Sequence, residues 1–382
     1  MSYLSITWLF WIWLTVSLYW LAPPAWRMAV LAALSFLFLV SISPLSAALL
    51  VGFTLVCHVA SNHLAPTFRV SAVAILGIAS ALVFFKVNQT VNTDDLFDTV
   101  AIPLGMSYYT FRCIHFIMER YKGTVGKTSL NDLIGYLFFI PTLVVGPIHR
   151  FDDYRRDRLR QRFDPAMLSD GAERILYGYA KIVVLSNFLT EALLGDAIAG
   201  FADQDSVLVL YLKTVQNGLN LYFQFSGYSD IAIGFARLLG FRVLENFNWP
   251  YLQSNISAFW RSWHISLSRW CRDYIYGVTV AKTRSPALGA LATMVTIGLW
   301  HEISLRFLLW GAYHGLGIII WQMTQRHGDA LTAATPAYLQ RPLHVAKVIF
   351  TVHFVWFGFI ILTAESVGAA ALTFQKLFLF WL

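Results

Sequence analysis

Apolar residues occur along this chain in long runs, and the polar residues collect between them. Runs near residues 3–22, 28–42, 44–60, 70–87, 101–118, 132–148, 175–190, 206–223, 288–303, 305–322, 343–364 and 367–382 approach the ~20 residues that a membrane helix needs. The pattern predicts an all-α integral membrane protein with many helices. Two stretches break it. Within IGYLFFIPTLVVGPI, Pro141 and the Gly146-Pro147 pair interrupt helical hydrogen bonding. Over 224–252, FSGYSD and ENFNWPY are expected to interrupt a simple spanning helix.

The polar connections sort by sign. NTDDLFD and the stretch from Glu191 through Asp196 to Asp205 are acidic; Arg120 to Lys127, Arg150 to Arg174 and Arg261 to Arg284 are basic. The positive-inside rule places the basic set in the cytosol and the acidic set outside. Residues 119–131 and 149–174 then fall on one side although an apolar run separates them. A re-entrant hairpin reconciles the two, since broken backbone at membrane depth is tolerated only where buried in protein or lining a cavity. The expectation is one polytopic membrane domain over 1–382, with supporting helices in 1–100, a polar-centred core in 101–322 and further helices in 323–382.

Composition sharpens this picture. Hydrophobic residues make up 57% of the 382-residue chain and charged residues 13%, about half the ~25% of soluble proteins. The first run lacks a basic leader and an Ala-x-Ala site, so it is read as a retained helix. The net charge of +7 fits positive-inside loops beside anionic lipid and gives no sign of nucleic-acid binding. Cys57, Cys113 and Cys271 lie too far apart in sequence for a zinc spacing, and no HExxH, GxSxG, GxGxxG or Walker motif is present.

Candidate chemistry lies in two places. His301, in GLWHE, falls fifteen residues after Pro286, roughly 22 Å along a helix. A desolvated imidazole favours its neutral form and is then able to accept a proton from a hydroxyl; a structural histidine bonded across helices is the open alternative. His264 lies in WRSWHISLSRWCRDYIY. Helical spacing puts Trp260, Trp263 and Leu267 on one face and Arg261, His264 and Ser268 on another, with Arg269, Arg272 and Asp273 extending the polar pattern. Such a stripe suits either a donor-lined cavity or a basic interfacial helix with tryptophan anchors. His314, thirteen residues after His301, is not expected to share its face on a regular helix.

LYFQFSGYSDIAIGFARLLGF, ENFNWPYLQSNISAFWRSWHISLSRWCRDYIY and GLWHEISLRFLLWGAYHG strongly resemble the membrane-bound O-acyltransferases. PLGMSYYTFRCIHFIMERYKG and FFIPTLVVGPIHRFDDYRRD extend the resemblance over roughly residues 101–320. It implies a bacterial envelope-polymer branch, similar both to the alginate-type O-acetyltransferases and to the D-alanyl transferases of the teichoic-acid pathway. It also implies a core pierced by a central tunnel, with His301 as the essential histidine and His264 as the second. Arg261, Trp263, Ser268, Arg269, Asp273, Tyr228, Asp230 and Asn246 are then the expected substrate-binding residues. One departure stands out: the family usually has glycine where this chain has Glu302.

The function implied is transfer of a short acyl group, D-alanyl or acetyl, to a hydroxyl of an envelope polymer or partner protein, in a multi-pass protein of the bacterial inner membrane. No bound cofactor or metal is expected. The donor is a thioester, either carrier-protein phosphopantetheine or acetyl-coenzyme A. The expected partners are membrane lipid, an acyl carrier protein or acyl-coenzyme A on the cytosolic side, and an extracytoplasmic transferase or acceptor protein. Arg155 to Arg158 offer a basic loop for an acidic carrier, which positive-inside bias explains equally well. A transporter or flippase and an acylation-dead scaffold are the alternative classes.

Overall fold

A computed structural model describes residues 4–91 and 102–379. The acidic NTDDLFD turn lies outside the described residues. Every regular element among them is helical; the single strand-like pairing is an isolated antiparallel bridge between Phe247 and Trp263. The chain divides into two compact units, Met1–Tyr179 with Gly227–Glu245, and Ala180–Ser226 with Asn246–Leu382.

The first unit contains α1 (Ile6–Leu21), α2 (Arg27–Ile42), α3 (Pro44–His58), α4 (Phe68–Val91), α5 (Met106–Lys122), α6 (Leu130–Leu137), α7 (Phe151–Leu159) and α8 (Pro165–Ala180). Between α6 and α7 the chain makes only a short 3₁₀ turn, Ile140–Thr142. This broken stretch is deeply buried, and side chains satisfy its backbone. The Arg112 guanidinium, itself fully buried on α5, donates to the carbonyl oxygens of Tyr136 (3.2 Å), Leu137 (3.5 Å) and Thr142, and to Thr142 Oγ1 (2.8 Å). Tyr136 donates its hydroxyl to the His149 carbonyl at 2.7 Å, and the Phe151 amide donates to His115 Nε2 at 3.2 Å. Buried carbonyls that lose their helical partners must find others, and here one arginine collects several.

The second unit holds a π-helical stretch, Lys181–Leu193, followed by α9 (Leu194–Ala199), α11 (Ile256–Ser262), α12 (Ile265–Cys271), α13 (Gly277–Thr283), α14 (Pro286–His301), α15 (Leu305–Ala334), α16 (Ala337–Thr363) and α17 (Val367–Phe378). Helix α10, Val207–Leu238, contributes to both units. FSGYSD therefore does not interrupt the helix, contrary to the sequence expectation. The segment instead packs closely against α8: a Cβ on Gly178 would lie 2.7 Å from the Gly227 carbonyl oxygen, the close approach that small residues permit between membrane helices. The helix ends at Leu238, before ENFNWPY, and that segment is not helical except for a short 3₁₀ turn opened by Pro250, with Trp249 at φ 47°.

Among the described residues four stretches are long and apolar enough to cross a membrane: Pro44–His63, Phe68–Asn88, Pro165–Ala199 and Ala337–Thr363. Ile6–Leu21, Arg27–Ile42 and Pro286–His301 are shorter apolar helices. Helices α14 and α15 pack very closely. A Cβ on Gly298 would collide with the Phe307 carbonyl, and one on Gly311 would lie 2.5 Å from that of Met294.

Candidate active site

Both candidate histidines belong to the second unit, and a break in the chain positions each. Asn255 caps α11 by accepting from the Ala258 amide at 2.8 Å, and α11 ends at Ser262. Trp263 is then extended and His264 is left-handed, at φ 45° and ψ 54°, a conformation histidine adopts more readily than most side chains. The break is pinned to residues 246–248, with Asn248 N donating to Ser262 O and Ile265 N to Asn246 O, both at 2.9 Å. The single amphipathic helix expected over this stretch is thus two short helices, and His264 leaves the stripe it was to share with Arg261 and Ser268.

The kink drives His264 inward. Its imidazole is buried, against Phe225 at 4.7 Å between ring centroids and Trp300 at 6.2 Å. Nδ1 lies 3.2 Å from Asn246 Oδ1, which also accepts from the Ser266 amide at 3.2 Å and the Ser266 hydroxyl at 2.9 Å. An amide N–H can only donate, so the Asn246 atom facing it is oxygen, and His264 Nδ1 must carry the proton. Nε2 is then a bare acceptor, buried and without a partner among the described residues. His264 lies on none of the membrane-length helices. Burial pushes its pKa well below the ordinary histidine value, and His301 pushes it further the same way.

His301 occupies the last position of α14 and is exposed. The sequence placed it far along a helix, and it is, but the helix stops there. Glu302 is extended at φ −153°, and Ser304 caps α15. The His301 ring lies 4.5 Å from Trp300, 5.8 Å from Trp310 and 6.1 Å from Phe307. Trp300 therefore neighbours both histidine rings. The Glu302 carboxylate does not turn toward this group; it accepts from Arg306 at 2.9 Å, and Arg306 also donates to the Ala364 carbonyl. Because 302–304 are not helical, the thirteen-residue helical spacing between His301 and His314 does not apply. Trp310 touches both rings, standing 4.8 Å from His314, which is itself fully buried beside Trp260 and Phe354.

The remaining expected site residues separate. Asn246 joins His264 directly. Trp263 is enclosed by Phe247, Tyr251 and Phe259, with centroids 5.1, 6.0 and 5.5 Å away. Ser268 donates back to the Trp263 carbonyl at 3.2 Å. Arg261 is exposed and donates to Ser257 at 2.7 Å; Arg269 is exposed; Asp273 accepts from its neighbour Arg272 at 3.1 Å. Tyr228 and Asp230 belong to the first unit, where Arg174 binds Asp230 at 2.7 Å and also reaches Glu245. Sequence reasoning missed Ser266, Trp300 and Phe225. For Ser266 the signal lies in the spacing of ENFNW against SWHIS, which is readable once the two segments are known to pair. Among the described residues no group of three or more metal-ligating side chains occurs.

Comparison with known proteins places the chain in a family. The model of the MBOAT, membrane-bound O-acyltransferase family, matches residues 7–363. The chain is 34% identical over 288 residues to a protein named "Probable alginate O-acetylase AlgI" of Pseudomonas aeruginosa, covering 74% of this chain and 52% of that one. It is 30% identical over 260 residues to the teichoic acid D-alanyltransferase of Streptococcus thermophilus, covering 63% and 60%. With the peptidoglycan O-acetyltransferase of Helicobacter pylori it shares 26% over 292 residues, covering 66% and 54%. The chain spans about half the length of the curated alginate O-acetylases it matches. With the family match running through nearly every helix described, the chain belongs to the membrane-bound O-acyltransferase family.

Proposed function

We propose that this protein is an O-acyltransferase of the bacterial inner membrane that moves a short acyl group, acetyl in preference to D-alanyl, from a cytosolic thioester to a hydroxyl of an envelope polymer or partner protein. The observation that carries the reading is the histidine pair around Trp300, one ring exposed at a helix end and the other buried with a single open nitrogen. The preference for acetyl rests on the higher identity and longer coverage shared with the alginate O-acetylases than with the D-alanyltransferase.

In this reading the exposed His301 imidazole takes the proton from the acceptor hydroxyl. The oxygen attacks the thioester carbonyl, the new C–O bond forms as the C–S bond breaks, and the proton passes from His301 to the leaving thiolate. The thioester is already activated, so alignment and a base are the chief requirements. His264 Nε2 accepts a hydrogen bond from substrate, held in that role by Asn246 on the opposite ring nitrogen. Loss of activity through Glu302, the basis of the scaffold reading, has no support in a carboxylate engaged by Arg306.

The test is acyl transfer by purified protein in liposomes, wild type beside His301→Ala, with labelled acetyl-coenzyme A and a D-alanyl carrier thioester as donors and envelope extract as acceptor. The expected outcome is acetyl turnover that falls by at least about 10²-fold in the variant, at unchanged melting temperature. Equal turnover in a folded His301→Ala protein would sink the base assignment.

A further inference from the structure

A cavity of about 600 Å³ in the first unit is lined by Arg156, Arg160, Arg162 and Arg242 together with Asp157 and Asp164. Both carboxylates are already engaged. Asp157 accepts from Arg156 Nε at 3.3 Å and from the Arg242 amide at 2.8 Å. Asp164 accepts from the Ala166 and Met167 amides at the start of α8, at 3.0 and 3.4 Å. Arg156 is further held by Asp153 at 3.0 Å. Arg160, Arg162 and Arg242 are exposed, and their side chains have no acidic partner among the described residues. The backbone that carries them is fixed, with Gln161 donating to the Leu239 carbonyl at 3.2 Å and the chain turning through Gly240 at φ 82°. Three guanidinium groups thus surround one space on a preorganised frame, so little backbone ordering opposes a ligand.

The rim of the cavity is apolar, and this decides what kind of anion it suits. Trp20 stands at the end of α1, a short apolar helix, and donates to the Leu238 carbonyl at 2.8 Å. Its ring lies 3.6 Å from where a Cβ on Gly240 would stand, and Phe163 meets it edge-on with centroids 5.2 Å apart. Phe163, Leu159 and Leu21 are 56%, 77% and 80% exposed. An apolar helix therefore ends in a tryptophan, open hydrophobic side chains and a nest of arginines. That sequence of groups matches the boundary layer of a bilayer, where tryptophan rings sit at headgroup level and arginine stems reach along apolar surface to keep the charge among the headgroups. A freely soluble anion makes no use of Leu159 or Phe163; a lipid covers both.

We propose that this cavity holds the headgroup of cardiolipin, an anionic lipid with two phosphates, its acyl chains lying on the apolar rim. Arginine forks match phosphate oxygens bidentately, and basic pockets at the ends of membrane helices suit lipids of this charge. Two phosphates joined through one glycerol answer most of three uncompensated cations, whereas a lipid with one phosphate leaves two of them unbalanced. The site lies wholly within the first unit and needs nothing from the acyl-transfer reading.

The test titrates delipidated full-length protein in maltoside micelles with cardiolipin, phosphatidylglycerol, phosphatidylcholine, inorganic pyrophosphate and an acidic carrier protein. Binding is read by native mass spectrometry, with melting temperature as the folding check. Cardiolipin should bind the wild type most tightly of the five. Arg242→Gln and the Arg160→Gln/Arg162→Gln double variant should each lose about tenfold or more in cardiolipin affinity, the scale of one charge-assisted hydrogen bond, with phosphatidylcholine unchanged. Arg326→Gln, an exposed arginine of α15, should bind cardiolipin as the wild type does. Leu159→Ser/Phe163→Ser should weaken cardiolipin and leave pyrophosphate unaffected. Unchanged cardiolipin affinity in the folded arginine variants overturns the proposal, and so does an equal loss in Arg326→Gln, which would reduce the effect to general surface attraction. Pyrophosphate bound as tightly as cardiolipin would make this a free-phosphate site instead. Arginine-dependent capture of the carrier protein, with cardiolipin indifferent to the same substitutions, would make it a protein-docking surface.

Discussion

Two breaks in the helical backbone, one in each unit, are stabilised by opposite arrangements of polar groups. Between α6 and α7 the chain abandons helical bonding, and the terminal nitrogens of Arg112 take up the carbonyls of Tyr136, Leu137 and Thr142. Between α11 and α12 the same kind of break is tied by Asn246, whose side-chain oxygen serves Ser266 and His264 together. The first arrangement spends a buried cation on backbone. The second leaves a defined acceptor, His264 Nε2, without a partner among the described residues. His149 and His314 are also buried, but neither ring nitrogen of either has a partner among the described residues, and aromatic rings enclose them instead. A polar network closed on the chain itself reads as structure. One that fixes a tautomer and stops a single bond short reads as chemistry.

The largest effect should come from attacking the closed arrangement. Arg112→Ala removes one group and leaves several buried carbonyls unpaired, a loss on the order of 3–5 kcal/mol if the cost resembles that of breaking a buried ion pair, and that is a large fraction of a domain's stability. The expected result is protein that is absent from the membrane fraction or melts far below wild type, with activity lost only in proportion to folded protein. If Arg112→Ala stays folded and loses turnover selectively, the contrast between the two breaks fails.

The open arrangement should respond in the other sense. Asn246→Ala removes the acceptor that orients His264 and that Ser266 donates to, costing roughly 1–3 kcal/mol of stability while freeing the imidazole to rotate. Turnover should fall about 10–10²-fold, because small misplacements of reacting groups are expensive, with the protein still folded. His264→Asn is the sharper companion, since asparagine tolerates the left-handed backbone and separates chemistry from strain. Comparing turnover with melting temperature for both variants checks the assignment; parallel losses in the two quantities would make Asn246 a structural residue only.

How much of this was legible in the sequence depends on the range of the interaction. Helices α2, α3, α14 and α16 follow the apolar runs, because burial in lipid or protein is a local property of composition. The motif resemblance pointed to both histidines. The kink at Trp263–His264 was not legible: WRSWHISLS has clean helical spacing, and only pairing with residues 246–248, brought back by the turn at Pro250, makes a break there favourable. FSGYSD failed in the opposite direction. Its glycine and serines look like a turn, yet close helix packing uses the same small residues. Arg112 was invisible as an anchor, since nothing in TFRCIHF announces the carbonyls that surround it in space.

Glu302 gives the finest test of the comparison, and the smallest expected effect. It stands where the family usually has glycine, beside the histidine assigned as base, so a direct role would make Glu302→Gly consequential. The geometry argues otherwise. The backbone at 302 is extended, so neither residue is required by conformation, and the carboxylate already accepts from Arg306. It therefore belongs with the closed arrangements, as Arg112 does, but it is a third exposed, where an ion pair contributes only about 0–1 kcal/mol. Glu302→Gly should change turnover less than about threefold and shift the melting temperature by a few degrees at most. Arg306→Ala should shift the melting temperature more, because it also releases the Ala364 carbonyl. A large gain in turnover for Glu302→Gly, with Arg306→Ala silent, would mean that the carboxylate acts on His301 during catalysis despite its partner, and the division between closed and open polar groups would no longer separate structure from chemistry.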